Sequence, residues 1–370
     1  MRVLLTGGGT AGHVTPAIAI AEIIKDNFKG SEIAFVGRLG GEENRPIPKS
    51  GYKLYTVDIE APKRSLTLKN FRVLRKILSS RKAAREIISE FEPDVIIGTG
   101  GYVSYPLLRM GIRLDIPTLI HESNAYPGLV TRLLSKKVNA VMLGIGEAGE
   151  HLKVTTNVVT VGNPVRRAFN STSRNEARQK LGLRPGEMLV VSFGGSGGSV
   201  RINDAVVGLM RDSDYKRQRV RHIHASGRKY FESIKAIAPE LTDGKGTKKV
   251  VPYIENMPEM LMAADIAITR SGAMTLAELA ATGTAPILIP SPNVAANHQY
   301  KNAAALSGNG AAIMLTEDNL TVDTLKASLG AILRDGIARK TMEHKLRGMS
   351  GSSCAENILK VITDTVNDEK

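Results

Sequence analysis

His13 closes the run Gly7-Gly8-Gly9-Thr10-Ala11-Gly12-His13, directly after the strand-like stretch Arg2–Thr6 and at the start of a helical pattern. A glycine-rich turn in that place offers unpaired backbone N–H groups and the positive end of a helix dipole, which suit a phosphate. An imidazole at its end titrates near neutrality and can take the proton of a bound hydroxyl. A second turn of the same build, Gly194-Gly195-Ser196-Gly197-Gly198-Ser199, follows the apolar run Met188–Phe193. Two such turns can hold a diphosphate and its sugar. The clusters Gly98–Ser104 (GTGGYVS) and His121-Glu122-Ser123-Asn124 also follow strand-like runs. Glu122 is the reserve candidate for the base. In the second half, Arg270-Ser271-Gly272-Ala273-Met274-Thr275-Leu276-Ala277-Glu278 again orders a strand end, a small-residue turn and a helix. A carboxylate such as Glu278 can accept both vicinal hydroxyls of a ribose. His298, Gln299 and Asn302 then offer polar groups to sugar hydroxyls.

Each feature has a blander reading. His13 can be a helix-start residue satisfied by backbone, His121 and Glu122 can be loop residues bonding backbone, and Glu278 can be a solvated helix position, although its neighbours Leu276, Ala277, Leu279 and Ala280 are apolar. Gly7, Gly9 and Gly12 satisfy GxGxxG, but Gly37 and Arg38 stand where a ribose-binding acid is expected at the end of the next strand, which disfavours a nicotinamide enzyme. The single Asp-x-Asp motif, Asp212-Ser213-Asp214, lies in a charged connection away from the glycine turns and reads as a solvated turn. No metal and no cofactor are therefore expected, and loop N–H groups with arginine must neutralise a leaving diphosphate.

The elements that position these residues recur in two series. Arg2–Thr6, Glu32–Val36, Asp94–Ile97, Pro117–Ile120, Ala140–Leu143 and Val158–Val161 alternate with helical patterns, as do Met188–Phe193, Val220–His224, Lys248–Val251, Asp265–Thr269, Pro286–Ile289 and Ala311–Met314. Such alternation signals βαβ units and parallel sheets. The expected fold is α/β, with two Rossmann-like domains of parallel sheet facing across a cleft. Gly162-Asn163-Pro164 marks the junction, since proline disfavours helix at the residue before it. This gives domains at 1–162 and 163–352, with a final helical stretch at 353–370 able to pack on either.

The 370 residues exceed one ordinary core, which agrees with two domains. Apolar residues at 42% and charged residues at 23% describe a globular chain. Cys354 has no disulfide partner, Met1 runs straight into a strand, and no run reaches the ~18 uncharged residues of a membrane span; a reducing cytoplasm is the expected location. The net charge of +14 favours an anionic partner. Lys63, Arg64, Lys69, Arg72, Arg75, Lys76, Arg81, Lys82 and Arg85 carry no acid among them, and Phe71, Leu74, Ile77, Leu78 and Ile88 approximate helical spacing. The stretch fits either an anionic membrane surface or packing on its own sheet. With aromatics at 4% and no recognition module, nucleic acid is not an expected partner.

With GGTAGH, GTGGYVS, HESN, GNPVR, GGSGGS, RSGAMTLAE and HQYKN in this order over nearly its whole length, the chain resembles the MurG family of GT-B-fold transferases. That resemblance implies transfer of N-acetylglucosamine from UDP-N-acetylglucosamine to a polyprenyl-diphosphate-linked muramoyl-pentapeptide, at the cytoplasmic face of the cell membrane. It implies that Thr10, Ala11 and Gly12 lie near the donor sugar and acceptor diphosphate, that His13 is the general base, and that Asn124 contacts the N-acetylglucosamine. Arg166 and Ser196 then match groups near the uridine diphosphate, Ile254 a uracil contact, Ala273 to Glu278 the segment whose acid holds the ribose, and Gln299 a further sugar contact. The chain departs from the family at Ala11, where glycine is usual, at Ser123, where glutamine is usual, and at Gly197, which lacks the side-chain amide of the usual glutamine. Tyr105 and His298 also replace more usual residues.

Overall fold

The computed structural model of the chain describes residues 1–60, 69–153, 157–169, 171–294, 297–349 and 353–367, with the side chains of 69–78 and 349 outside the description. Two compact units are present, Met1–Arg167 with Gly351–Lys370, and Ala168–Ser350.

In the first unit, β1 (Arg2–Thr6), β2 (Glu32–Arg38), β3 (Lys53–Val57), β4 (Val95–Gly98), β5 (Thr118–Glu122), β6 (Ala140–Leu143) and β7 (Val158–Thr160) form one sheet in the order 3-2-1-4-5-6-7. Every pairing is parallel; Leu4, for instance, lies opposite Ala34 on one side and Ile96 on the other. Strand β3 escaped the sequence reading. Its alternation of Lys53, Leu54, Tyr55 and Thr56 on the sheet edge carries less apolar signal than the central strands.

The sheet is covered on both faces, as an all-parallel sheet requires. Val14, Ala17, Ile18, Ala21 and Ile24 of the helix Ala11–Asn27 form one apolar stripe that packs with Val3, Leu5, Ile97 and Met142. Ile358, Val361 and Ile362 of the final helix Cys354–Asn367 join the same core, and this helix packs on the helix Ala11–Asn27 and on β6. Full burial of each such side chain is worth about 1.5–3 kcal/mol. On the opposite face, Ala84, Ile87, Ile88 and Phe91 of the helix Lys69–Phe91 pack with Leu4, Ile96 and Leu107.

Ile88 decides, for its own position, between the two readings of its stretch in favour of packing on the sheet. It is 4% exposed and belongs to the protein's own core, so it is no part of a lipid-facing stripe. Lys63 and Arg64 lie outside the described residues, and the side chains of Phe71, Leu74, Ile77 and Leu78 are likewise outside the description.

The second unit repeats the architecture. Strands β8 (Met188–Phe193), β9 (Val220–Ala225), β10 (Lys248–Val251), β11 (Ile266–Thr269), β12 (Ala285–Leu288) and β13 (Ile313–Met314) form a parallel sheet in the order 10-9-8-11-12-13. In both units the glycine-rich turn leaves the carboxyl end of the strand flanked by the crossover, where ligands of open α/β sheets bind. Among the described residues, no helix is long and apolar enough to cross a membrane.

Candidate active site

The first turn is held largely through its backbone. Gly7, Gly8, Gly100 and Gly101 bring the turn after β1 and the turn after β4 into backbone contact: the Gly8 N–H donates to the Gly100 carbonyl at 3.4 Å, and a Cβ on Gly101 would stand 2.1 Å from the Gly8 carbonyl oxygen. Thr99 Oγ donates to the His13 carbonyl at 2.7 Å, fixing the first turn of the helix to β4.

His13 sits in this interlock, half-buried, with Nδ1 at 3.1 Å from the Gly8 carbonyl and 3.1 Å from Thr10 Oγ1. A carbonyl only accepts, so Nδ1 carries the proton of the neutral ring and Nε2 is the basic nitrogen. Thr10, the residue before the helix, is exposed, and its side chain makes no capping bond to the helix backbone. Gly12 is exposed and Ala11 half-buried.

Beneath the turn lies a residue that sequence reasoning missed. Glu43 is fully buried; one carboxyl oxygen accepts from the Gly9 N–H at 3.2 Å and the other from the Arg38 N–H at 2.5 Å. A Cβ on Gly8, Gly37 or Gly41 would strike this side chain at 2.5 Å. An acid does follow β2, but it turns inward to brace the glycine turn, which no spacing rule for ribose acids describes. The adjacency of Gly40-Gly41 to Glu42-Glu43 was the available signal.

The third cluster is organised around Glu122, which is 5% exposed. Its two oxygens accept from the Asn124 N–H and side-chain amide, from the Gly128 N–H at 2.8 Å and from the Thr131 hydroxyl at 2.8 Å. Four donors occupy the lone pairs a base would need, and the carboxylate brackets the loop from Asn124 to Thr131. Neighbouring His121 is fully buried with Nε2 at 3.1 Å from the Gly162 carbonyl, and burial lowers its pKa. Arg166, half-buried, follows two residues after Pro164.

In the second unit, Ser196 and Gly197 stand exposed on the turn. Ser199 caps the helix Val200–Arg211 by accepting from the Ile202 N–H, and it also accepts from Arg270 at 2.7 Å. Arg270 is the second residue whose role the sequence did not reveal: it donates to the Ile289 carbonyl at 3.1 Å and pairs with Glu317 in a mostly buried bridge. The helix Ala273–Thr282 buries Ala273, Met274 and Leu276, while Thr275, Ala277 and Glu278 are half-buried. Gln299 uses its side-chain carbonyl to accept from the Ser291 N–H at 2.9 Å, and its backbone carbonyl accepts from Ser271. Ile254 is 6% exposed and lines a cavity of about 260 Å³ with Leu181, Ile223, Tyr253 and Met260. Asp212, of the Asp-x-Asp motif, caps the short helix Ser213–Arg217 and pairs with Lys326. Among the described residues no group of His, Cys, Asp and Glu could hold a metal ion.

Two parallel α/β units, each with a glycine turn at the head of its first helix, are a frame suited to a nucleotide-sugar enzyme, and the comparisons give the class as glycosyltransferase. Residues 3–143 match the glycosyltransferase family 28 N-terminal domain and residues 189–358 the glycosyltransferase family 28 C-terminal domain. A relative from Thermoanaerobacter sp. (strain X514), named UDP-N-acetylglucosamine--N-acetylmuramyl-(pentapeptide) pyrophosphoryl-undecaprenol N-acetylglucosamine transferase, is 40% identical over 98% of this chain and 99% of its own. One of the same name from Carboxydothermus hydrogenoformans is 41% identical over 90% of this chain and 89% of its own. The crystal structure of Acinetobacter baumannii MurG superposes with a TM-score of 0.72 at 25% identity, covering 98% of this chain and 99% of that one. The chain belongs to glycosyltransferase family 28 and, within it, to the MurG family. A UDP-GlcNAc 2-epimerase from Neisseria meningitidis shares the fold, with a TM-score of 0.68, at only 12% identity over 98% of this chain and 100% of that one.

Proposed function

We propose that this protein transfers N-acetylglucosamine from UDP-N-acetylglucosamine to the 4-hydroxyl of a polyprenyl-diphosphate-linked muramoyl-pentapeptide, in a single inverting displacement that releases UDP. The observation that carries the mechanism is the His13 geometry: with Nδ1–H held on the Gly8 carbonyl, Nε2 is the nitrogen that receives the acceptor's proton. Glu122 brackets its loop, holding the Asn124 side chain, and Asn124 contacts the N-acetylglucosamine. The Gly194–Ser199 turn supplies N–H groups to the donor diphosphate, Arg166 and Ser196 stand by the uridine diphosphate, Ile254 meets the uracil, and Glu278 on the Ala273–Thr282 helix accepts the ribose hydroxyls. Thr10, Ala11 and Gly12 face the acceptor diphosphate, and Gln299 contacts the donor sugar. The reaction runs without metal, its leaving charge met by backbone N–H groups at a helix head.

The enzyme works at the cytoplasmic face of the membrane, held by its basic stretch against anionic lipid. Sedimentation with liposomes tests this part: binding that requires anionic lipid supports it, and binding to neither kind of vesicle removes it.

Labelled UDP-N-acetylglucosamine incubated with defined lipid acceptors tests the reaction. Labelled lipid product that appears only with the muramoyl-pentapeptide acceptor is expected. Product on another lipid would move the assignment to a different acceptor, and conversion of the donor without acceptor would make the protein an epimerase.

A further inference from the structure

Behind the second glycine turn lies a set of buried polar groups that the reaction does not use. Ser192, His222 and His224 are fully buried, Tyr215 is 1% exposed and Asn203 is 3% exposed, all inside the apolar core that contains Val190, Ile202 and Val206. Ser192 lies opposite His224 in the β8–β9 register, and His222 lies two residues earlier on the same face. Unsatisfied, such groups would each cost several kcal/mol. Here they form an unbroken chain: Tyr215 Oη to His222 Nδ1 at 3.0 Å, His222 Nε2 to Ser192 Oγ at 2.8 Å, Ser192 Oγ to His224 Nδ1 at 2.8 Å, His224 Nε2 to Asn203 Oδ1 at 3.0 Å, and Asn203 Nδ2 to the Ser226 carbonyl at 3.1 Å.

The last link sets the direction of the others against one competing acceptor, the Ser192 backbone carbonyl. The Ser226 carbonyl only accepts, so Asn203 must turn its amide N–H there and its carbonyl toward His224. The neutral His224 ring has one proton and two acceptors for it, Asn203 Oδ1 at 3.0 Å from Nε2 and the Ser192 backbone carbonyl at 3.2 Å from Nδ1; the nearer takes it, so Nε2 carries the proton and Nδ1 accepts from the Ser192 hydroxyl at 2.8 Å. With its proton so placed, Ser192 Oγ accepts from His222 Nε2–H, and His222 Nδ1 accepts from the Tyr215 hydroxyl. Burial favours the neutral form of both rings, and Lys248, which donates to the Gln218 and Val220 carbonyls, sets its charge over the Tyr215 ring and further opposes a cation at His222.

The chain ends on the bed of the glycine turn. A Cβ on Gly198 would stand 2.2 Å from the Ser226 carbonyl oxygen, and one on Gly227 would stand 2.9 Å from the Gly198 Cα and 3.0 Å from the Gly197 carbonyl oxygen. Backbone lies on backbone here, so the position of the Ser226 carbonyl sets the position of Gly197 and Gly198. Asn203, one turn into the helix that the glycine turn opens, ties that carbonyl to the same helix.

We propose that the one-way chain from Tyr215 to Ser226 is a positioning device for the second glycine turn, holding both imidazoles as Nε2–H tautomers and the Gly197–Gly198 backbone in the geometry that receives the donor diphosphate. The second half of this statement rests on the donor role given to that turn above; the tautomers and the loop do not.

Histidine-labelled protein examined by nitrogen NMR tests the direction. Two rings with protonated Nε2 and bare Nδ1, unchanged between pH 8 and pH 6, are expected; an Nδ1–H tautomer at either ring overturns the chain. Asn203→Asp keeps an acceptor for His224 and replaces the donor to Ser226 with a carboxylate oxygen that repels its carbonyl. It should speed amide hydrogen exchange at Gly197 and Gly198 and weaken UDP binding about tenfold, ~1.4 kcal/mol, while kcat at saturating donor stays within about twofold. Native exchange at those glycines in a folded variant would overturn the positioning role. Should Asn203→Asp fail to fold, Tyr215→Phe, which removes only the first donor, should shift the His222 Nδ1 resonance and pass a smaller change to His224; no change at either ring sinks the chain. If wild-type protein binds no UDP, the donor assignment fails, whereas exchange at Gly197 and Gly198 still decides the positioning.

Discussion

The two glycine turns share a plan and differ in what lies under them. The first rests on a buried carboxylate, Glu43, and on a second glycine turn, Gly100-Gly101; the second rests on neutral imidazoles and an amide, with Arg270 at its helix cap. A turn without side chains cannot fix its own dihedrals, so its shape is set by its neighbours. The charges beneath them differ as well: a buried carboxylate lies under the first turn, while the guanidinium beside the second is paired with Glu317.

The sharpest break in that comparison is His13→Ala. Turnover with saturating donor and lipid acceptor should fall by roughly 10²–10⁴, with UDP affinity unchanged, since the proposal assigns UDP to the other turn. Near-normal turnover would remove His13 as the base.

Acid separates the turns next. Burial holds the His224 pKa down at about 4 and the His222 pKa well below the ordinary value, and it lowers His121 in the first unit. The unfolded rings bind protons near pH 6.5 while the folded ones do not, so stability is fully present above that pH and falls as pH drops toward 4. The loss for His224 alone is of the order of 3 kcal/mol. With two such rings against one, the second unit should unfold at the higher pH, which thermal melts from pH 7.5 to 4.5 can follow; a melting curve independent of pH contradicts it.

Glu43→Gln should cost about 1–3 kcal/mol, because an amide NH₂ must face either the Gly9 or the Arg38 N–H. Its mark is a lowered melting temperature and reduced kcat with UDP binding intact. Weakened UDP binding instead would mean that the two turns are not independently braced.

Within the second turn, two alanines give a finer contrast. Gly195 has φ +86° with nothing within 4 Å of a Cβ, whereas Gly198 has φ +73° and meets the Ser226 carbonyl. Gly195→Ala should carry only left-handed strain, about 1–3 kcal/mol. Gly198→Ala adds a backbone collision and should weaken UDP binding at least about tenfold more. Equal effects in a calorimetric titration would deny the packing on Ser226. The smallest expected change is Glu278→Ala, a few-fold loss of UDP affinity, roughly 1 kcal/mol for a hydrogen-bonded ribose, with the lipid acceptor unaffected.

Much of this was legible in the linear chain. The alternation of β-rich runs and helical patterns located twelve strands within a few residues, and both glycine turns stood out because only glycine permits such close backbone approach. Strand β3 was missed because Lys53 and Thr56 break its short apolar run. Ile88 fitted either a lipid-facing stripe or packing on the sheet, because helical periodicity marks an apolar face without naming what covers it. Glu122 looked like a candidate base until the structure showed four donors around its carboxylate.

The sequence by itself determined the two-unit α/β plan, the glycine turns, the helix-start histidine and membership in a transferase family, because these depend on local periodicity and on residues whose conformational freedom is unique. Tertiary structure alone decided that Glu43 braces the first turn, that Arg270 reaches Ser199 and Glu317, and that Ser192, Asn203, His222 and His224 share one hydrogen-bonded chain. Those facts depend on which side chains meet across 21 to 71 positions of sequence, as His224 meets Asn203 and Arg270 meets Ser199. Spacing along a chain does not encode such meetings until the sheet register has brought the strands together.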